Sequence, residues 1–206
     1  KKADPDAPTF EELEKVIAHR WNYDGPRVPF KEQIENPEEH KFNTPSGKIE
    51  IFSKQLYDMK HEEIPAIPRY IPSWEGPEDE LTEKYPLQLI GWKQKNRANS
   101  VHYDHPWLEK IAHQQMWMNP IDAEKRGIKQ GDRVKVYNDR GATMIEVKVT
   151  SRIMPGVVAI PTGAYYQPDE NGVDQNGCSN VLTTDRMTPL AHGNAHHTCL
   201  VEVEKA

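Results

Sequence analysis

The chain has 206 residues and a formal net charge of −6, with 36% hydrophobic and 28% charged residues. An acidic chain with no run of Lys and Arg lacks the electrostatic footprint of a broad nucleic-acid grip. No stretch reaches the roughly 18 apolar residues of a membrane-spanning helix, and two cysteines, Cys178 and Cys199, make neither a disulfide scaffold nor a four-cysteine zinc site.

The first residue is Lys1 rather than Met, which points to an internal cut or processing, so the N-terminus carries no address. Thr9 and Glu12 have the spacing of a capping box. Phe10, Leu13 and Ile17 follow at helical intervals, which predicts a short helix over Thr9–Arg20. Asn22 to His40 reads as loop. Thr44-Pro45-Ser46-Gly47 fits a type I turn with Pro second and Gly fourth. Lys48 to Phe52 alternates polar and apolar residues, as a strand does. These pieces do not make a self-sufficient core, so residues 1–63 read as an irregular α/β arm, the tail of a preceding domain.

Pro65, Pro68, Pro72 and Pro77 fall within one stretch. Proline removes backbone donors and holds its predecessor extended, so 64–83 reads as a semi-rigid connector. From residue 84 onward the pattern becomes a mainly β domain with short helices. Leu87 to Gly91 is a strand ending at a glycine. Asn119-Pro120-Ile121-Asp122 supplies an N-cap, a first-turn proline and a first-turn acid, and Gly127 ends that helix. Arg133 to Tyr137 and Ile145 to Val149 are alternating strands joined by the turn Asn138-Asp139-Arg140-Gly141. Pro155-Gly156 turns the chain into Val157 to Ile160, and Cys199 to Glu204 closes as a strand. Several strands without a βαβ rhythm predict a closed or nearly closed barrel spanning 84–206.

Three polar loops between these strands are candidate sites, since binding residues gather on loops held by a rigid scaffold. Gly91, Trp92, Lys93, Gln94, Arg97, Asn99 and Ser100 offer cations, amides and a hydroxyl that can meet phosphates and a heterocycle edge. An ordinary solvated loop has the same composition. Gly163 to Tyr166 runs on to Asn180-Val181-Leu182-Thr183, where Asn180 can read a ligand edge or tie its own turn. His192 to Cys199 gathers three histidines and a cysteine, yet the spacing matches no usual zinc pattern, and no metal site is expected. There is no HExxH, GxSxG or Walker loop. With no self-contained catalytic set, the chain reads as part of a larger enzyme with no catalytic residues of its own.

Taken in order, Phe42 to Glu50, Tyr85 to Trp92, Trp117 to Ala123, Arg126-Gly127-Ile128, Gly131-Asp132, Asn138 to Gly141, Ile153 to Val158 and Asn180 to Thr183 resemble the C-terminal region of the molybdopterin oxidoreductases. The likeness is greatest to the catalytic chains of the anaerobic dimethyl sulfoxide reductase branch. The resemblance implies a six-stranded double-psi β-barrel that binds molybdopterin guanine dinucleotide. It implies pterin contacts from Gly91 to Ser100, with Arg97 and Ser100 on the pattern and Asn99 where many relatives carry His. It also implies contacts from Asn180, the asparagine of the NxLT motif, and from His197 near the C-terminus.

The implied activity is reduction of dimethyl sulfoxide or related S- and N-oxides at molybdenum held by two such dinucleotides. The molybdenum ligand and an iron–sulfur cluster are expected in earlier domains, so this piece alone should not turn over substrate. Implied partners are the rest of the catalytic chain, an iron–sulfur electron-transfer subunit and a membrane-anchor subunit. The implied location is the periplasm or the outer face of the cell membrane, with the export signal upstream. A free-standing barrel used as a binding module, or a domain of a sibling reductase with another oxide or oxyanion substrate, are the alternatives.

Overall fold

A computed structural model describes residues 7–20 and 25–206. The expectations for Lys1 and for the loop start at Asn22 lie outside those residues. The chain divides into two compact units, Lys1–Ser53 and Lys54–Ala206.

In the first unit the capping box forms around helix α1 (Phe10–Val16). The Thr9 amide donates to Glu12 Oε2 at 2.6 Å, and the Glu12 amide donates to Thr9 Oγ1 at 3.3 Å. The helix stops earlier than Arg20: Ile17 already has φ 66°. None of its residues is buried, and a helix of two turns without a packed face propagates poorly. A short helix α2 (Lys31–Glu35) occupies part of the expected loop. The Thr44–Gly47 turn closes with Gly47 N donating to Thr44 O at 3.0 Å. The strand expected over Lys48–Phe52 is absent. Ile49 and Ile51 alternate as a strand would, but both are exposed, and alternation without a neighbour to pair with does not make a sheet.

The second unit opens with helix α3 (Lys54–Met59) and the proline-rich stretch, which ends in a 3₁₀ turn at Glu80–Glu83. Six strands then follow: β1 (Leu87–Trp92), β2 (Gln115–Met118), β3 (Arg133–Tyr137), β4 (Ala142–Val149), β5 (Val157–Pro161) and β6 (Cys199–Lys205). They close into a barrel in the order β1-β5-β2-β4-β3-β6. β1 runs parallel to β5 and β2 parallel to β4, while the remaining pairs are antiparallel. The architecture is the double-psi barrel. Alternating residues fill its interior, among them Leu87, Leu89, Met116, Met118, Val134, Val136, Val147, Ile160, Val201 and Val203.

Helix α4 (Pro106–Ile111) precedes β2. Helix α5 (Pro120–Lys125) is capped as its sequence dictates, with Asn119 Oδ1 accepting from the Ile121 amide at 2.9 Å. Parallel β1 and β5 end side by side, and antiparallel β6 begins at that same end. Three loop segments therefore meet there: the one leaving β1, and the two ends of the single connection that leaves β5 and enters β6.

Candidate cofactor cleft at the end of the barrel

The three loop segments enclose a cleft of about 790 Å³. Its lining includes Gly91, Trp92 and Lys93 at the end of β1, then Asn99 and Ser100. Thr162, Gly163 and Ala164 follow β5, and Cys178, Ser179, Asn180, Thr183 and Thr184 surround a 3₁₀ turn at Ser179–Val181. Asn194, His196 and His197 come from the approach to β6.

Close backbone approach shapes this cleft. Thr162 N donates to Trp92 O at 2.8 Å, carrying the β1–β5 pairing one residue past the end of β5. Gly163 has φ +112°, and a Cβ there would sit 2.1 Å from Asn99 O and 2.5 Å from Asn99 C. Only glycine lets the β5 loop lie against the Asn99–Ser100 peptide. Asn99 itself is in the left-handed region at φ 52°, which Asn tolerates better than most residues.

On the β6 side, His197 Nδ1 accepts from Gly91 N at 3.2 Å. An accepting Nδ1 leaves the proton of the neutral ring on Nε2. His197 is solvent-exposed on one side, and partial desolvation of its ring, with a smaller contribution from neighbouring His196, pushes its pKa below the ordinary imidazole value. The two rings lie 4.1 Å apart, tilted by 50°.

Asp174, fully buried, organises the loop between β5 and Asn180. Its Oδ2 accepts from Thr143 Oγ1 at 2.5 Å, Cys178 N at 2.7 Å and Asn176 N at 3.2 Å. Its Oδ1 accepts from Gln167 N at 2.8 Å. One carboxylate thus ties the wall carrying Cys178, Ser179 and Asn180 to β4. Burial pushes the Cys178 thiol up from its ordinary value, so this lining residue is an un-ionised packing group.

Of the nine residues singled out in the sequence, Gly91, Trp92, Lys93, Asn99, Ser100, Asn180 and His197 meet at the cleft. Gln94 and Arg97 do not. Gln94 is buried on the outer side, where its Nε2 donates to His113 O at 2.9 Å, and it lines a separate hollow with Trp117 and Lys148. Arg97 turns into the loop that carries it. Its guanidinium donates to Tyr103 O at 2.5 Å, to Glu109 Oε2 at 3.0 Å and to Ala112 O, and it stacks on the Tyr103 ring with Cζ 4.7 Å from the centroid. A fork of donors finds carbonyls as readily as phosphates.

Thr162 and Thr184 reach the cleft without having been expected there, while Ser179, Asn194 and His196 lie in the second and third candidate loops but were not singled out as contacts. Their common signal is position: each flanks a strand end or the NxLT segment.

The donor set is informative. Among the described residues lining the cleft there are a lysine, two histidines, hydroxyls and amides, but no carboxylate. Such a surface suits an anionic, hydrogen-bonding ligand such as a pyrophosphate carrying heterocycles. The Asn180 amide makes no hydrogen bond to another side chain or to backbone among the described residues, so its donors and acceptor stay available.

Fold and cleft define a double-psi barrel domain that presents a polar, carboxylate-free cleft where three strands begin or end. Residues 87–200 match the model of the molydopterin dinucleotide binding domain, and the chain belongs to that family. The residues lining the cleft fit a molybdopterin cofactor of this kind. The dimethyl sulfoxide reductase DmsA of Escherichia coli is 46% identical over 213 residues, 100% of this chain and 26% of that protein. DmsA of Haemophilus influenzae is 46% identical over 98% of this chain, again 26% of the relative. The trimethylamine-N-oxide reductase of Haemophilus influenzae is 37% identical over 86% of this chain and 22% of its own length. The chain therefore spans about a quarter of these curated relatives. Among solved structures, the acetylene hydratase of Pelobacter acetylenicus aligns with a TM-score of 0.68 at 18% identity, covering 83% of this chain and 25% of that one, which shows the shared fold.

Proposed function

We propose that this barrel is the cofactor-gripping part of a molybdenum oxidoreductase that reduces dimethyl sulfoxide or related S- and N-oxides. The observation that carries the reading is the cleft itself. Seven residues expected from the family pattern converge on one carboxylate-free cavity, in a chain that is 46% identical along its whole length to a quarter of a dimethyl sulfoxide reductase.

In this reading the cofactor is a pair of molybdopterin guanine dinucleotides holding molybdenum, and it supplies two-electron oxygen-atom transfer. The barrel binds and orients. Lys93 and free backbone amides of the loops leaving β1 and β5 would hold the phosphates. The Asn180 side-chain amide and the Nε2–H of His197 would hydrogen-bond heterocycle or sugar edges. The group that ligates molybdenum and an iron–sulfur cluster lie in the remaining three-quarters of the enzyme. Electrons arrive from an iron–sulfur partner subunit beside a membrane anchor, on the outer face of the cell membrane.

The test uses the full-length enzyme. Molybdenum and guanine nucleotide per chain are measured after extended dialysis for the wild type and for Asn180→Ala. In the variant a buried cofactor edge would lose its partner, at roughly 1–3 kcal/mol, so it should retain less of both. Equal retention makes Asn180 a turn residue. A wild-type protein with neither molybdenum nor guanine removes the reading altogether. The gene itself gives a second check, because a reading frame lacking several hundred residues ahead of Lys1 favours a free-standing barrel.

A further inference from the structure

We infer that Glu75, on the proline-rich stretch, is a positioning residue for the cleft, a reading that rests on the proposed cofactor function. Its carboxylate accepts both terminal nitrogens of Arg140, at 2.7 and 2.8 Å, and the backbone N–H of Leu200 at 3.1 Å. Leu200 lies 125 residues further along the chain.

The arrangement continues past the ion pair. Arg140 Nε donates to Leu182 O at 2.8 Å. Asn138 Nδ2 donates to the same carbonyl at 2.8 Å and to Leu200 O at 3.1 Å. The Cys199 thiol also donates to Leu182 O, at 2.9 Å. Leu182 is the leucine of the NxLT segment that carries Asn180 and Thr183, and Leu200 follows His197 by three residues. Both belong to segments that line the cleft. The Glu75–Arg140–Asn138 set therefore fixes how far apart those two segments stand.

A second tie lies between them. Arg186 NH2 pairs with Glu63 Oε1 at 2.7 Å, and its Cζ stacks 4.0 Å over the Trp74 ring, whose Nε1 donates to Glu63 at 3.0 Å. The proline-rich stretch, with Glu63 just ahead of it, is thus tied at two places: through Glu75 to Arg140 and Leu200, and through Glu63 and Trp74 to Arg186 in the loop that leads to His197. Its prolines suit the task, because a chain with few accessible conformations transmits position rather than absorbing it.

An exposed ion pair contributes little to stability. The Glu75 side chain is only 12% exposed, and its partner is bound through a planar fork. Its effect is geometric: without the carboxylate, the Leu200 amide and the Arg140 fork lose their common acceptor, and Arg140 is free to leave Leu182.

The experiment uses the full-length enzyme carrying Glu75→Gln, which keeps the shape and removes the charge, and separately Arg140→Lys, which keeps the charge and removes the fork. Amide hydrogen exchange over 179–184 and 197–201 is read by mass spectrometry, together with molybdenum and guanine retained on dialysis. Lys135→Ala, which breaks the Lys135–Glu204 pair on the barrel strands, is the control. Both test variants should exchange about tenfold faster in the two segments and lose cofactor faster than wild type, while the control does neither. Unchanged exchange overturns the inference. Faster exchange with wild-type retention also overturns it, since the network would then support the fold and not the site. Absence of molybdenum and guanine from the wild type itself is a separate failure, of the functional reading, and is seen before any variant is made.

Discussion

The amide of Gly91, at the end of β1, donates to Nδ1 of His197, just before β6, at 3.2 Å. This bond closes one side of the cleft and exists only while Nδ1 is unprotonated. Partial desolvation first, and His196 second, hold the folded pKa of His197 below 6.5. The unfolded chain then binds more protons near that pH than the folded one. The contribution of His197 to stability is therefore complete above 6.5 and is lost as pH falls through the lowered folded value. Histidine C2 hydrogen exchange should give His197 a midpoint below 6.5. Protection of the Gly91 amide, corrected for intrinsic rate, should fall as the pH passes below that midpoint. A midpoint above 6.5 would contradict the desolvation argument.

Gly163→Ala should be far more damaging than Gly172→Ala, although both glycines have positive φ. A Cβ on Gly163 meets the Asn99 carbonyl at 2.1 Å, whereas one on Gly172 meets nothing within 4 Å. The Gly172 substitution carries only the left-handed strain of about 1–2 kcal/mol. At Gly163 two backbones must separate, and about 3 kcal/mol or more is expected. Native-state exchange of β1 and β5 amides measures the difference. Equal losses at the two positions would mean that the loops are not packed as described.

Much of this barrel was legible in the sequence because each signal was local. Alternation in Arg133–Tyr137 and the Asn119-Pro120 cap with Gly127 depend on residues a few places apart, and both elements form where expected. β2 was not readable as a strand, since Gln115-Met116-Trp117-Met118 is four residues long and has no β-branched member. It exists because parallel β4 and antiparallel β5 flank it. The opposite error occurred at Lys48–Phe52, where local alternation had no partner. Site residues divide along the same line. Backbone-set positions such as Gly91 and Asn180 could be placed from motifs, while the direction of a long side chain depends on which carbonyls the folded loop offers it. Asp174 carries no local signal in the sequence for the same reason, since its role rests on partners such as Thr143, 31 residues away.

Asp174→Asn should destabilise the β5–β6 connection selectively. The carboxylate accepts from one hydroxyl and three amides while fully buried. An amide group in its place turns an NH₂ toward at least one N–H donor, leaving a buried group unpaired at about 2–4 kcal/mol. Thr143→Val removes a single donor and should cost about 1 kcal/mol. Exchange protection at Cys178 N, which donates to Asp174 at 2.7 Å, should collapse in Asp174→Asn and persist in Thr143→Val. Similar behaviour of the two variants would remove Asp174 from its place as the organiser of that wall.

Arg97 separates two roles that one sequence position can suggest. If its charge met a cofactor phosphate, Arg97→Lys would behave nearly as wild type and Arg97→Gln would weaken retention, most strongly at low salt. In the structure the guanidinium is almost wholly buried and forks between the carbonyls of Tyr103 and Ala112 and the Glu109 carboxylate. Lysine cannot span those acceptors. Both substitutions should therefore loosen residues 95–112 by about 2 kcal/mol, with faster amide exchange there. Any cofactor lost should be lost equally in the two variants and independently of salt, because Asn99 and Ser100 would shift with the loop. A lysine variant that matches wild type while glutamine fails would return Arg97 to the cleft.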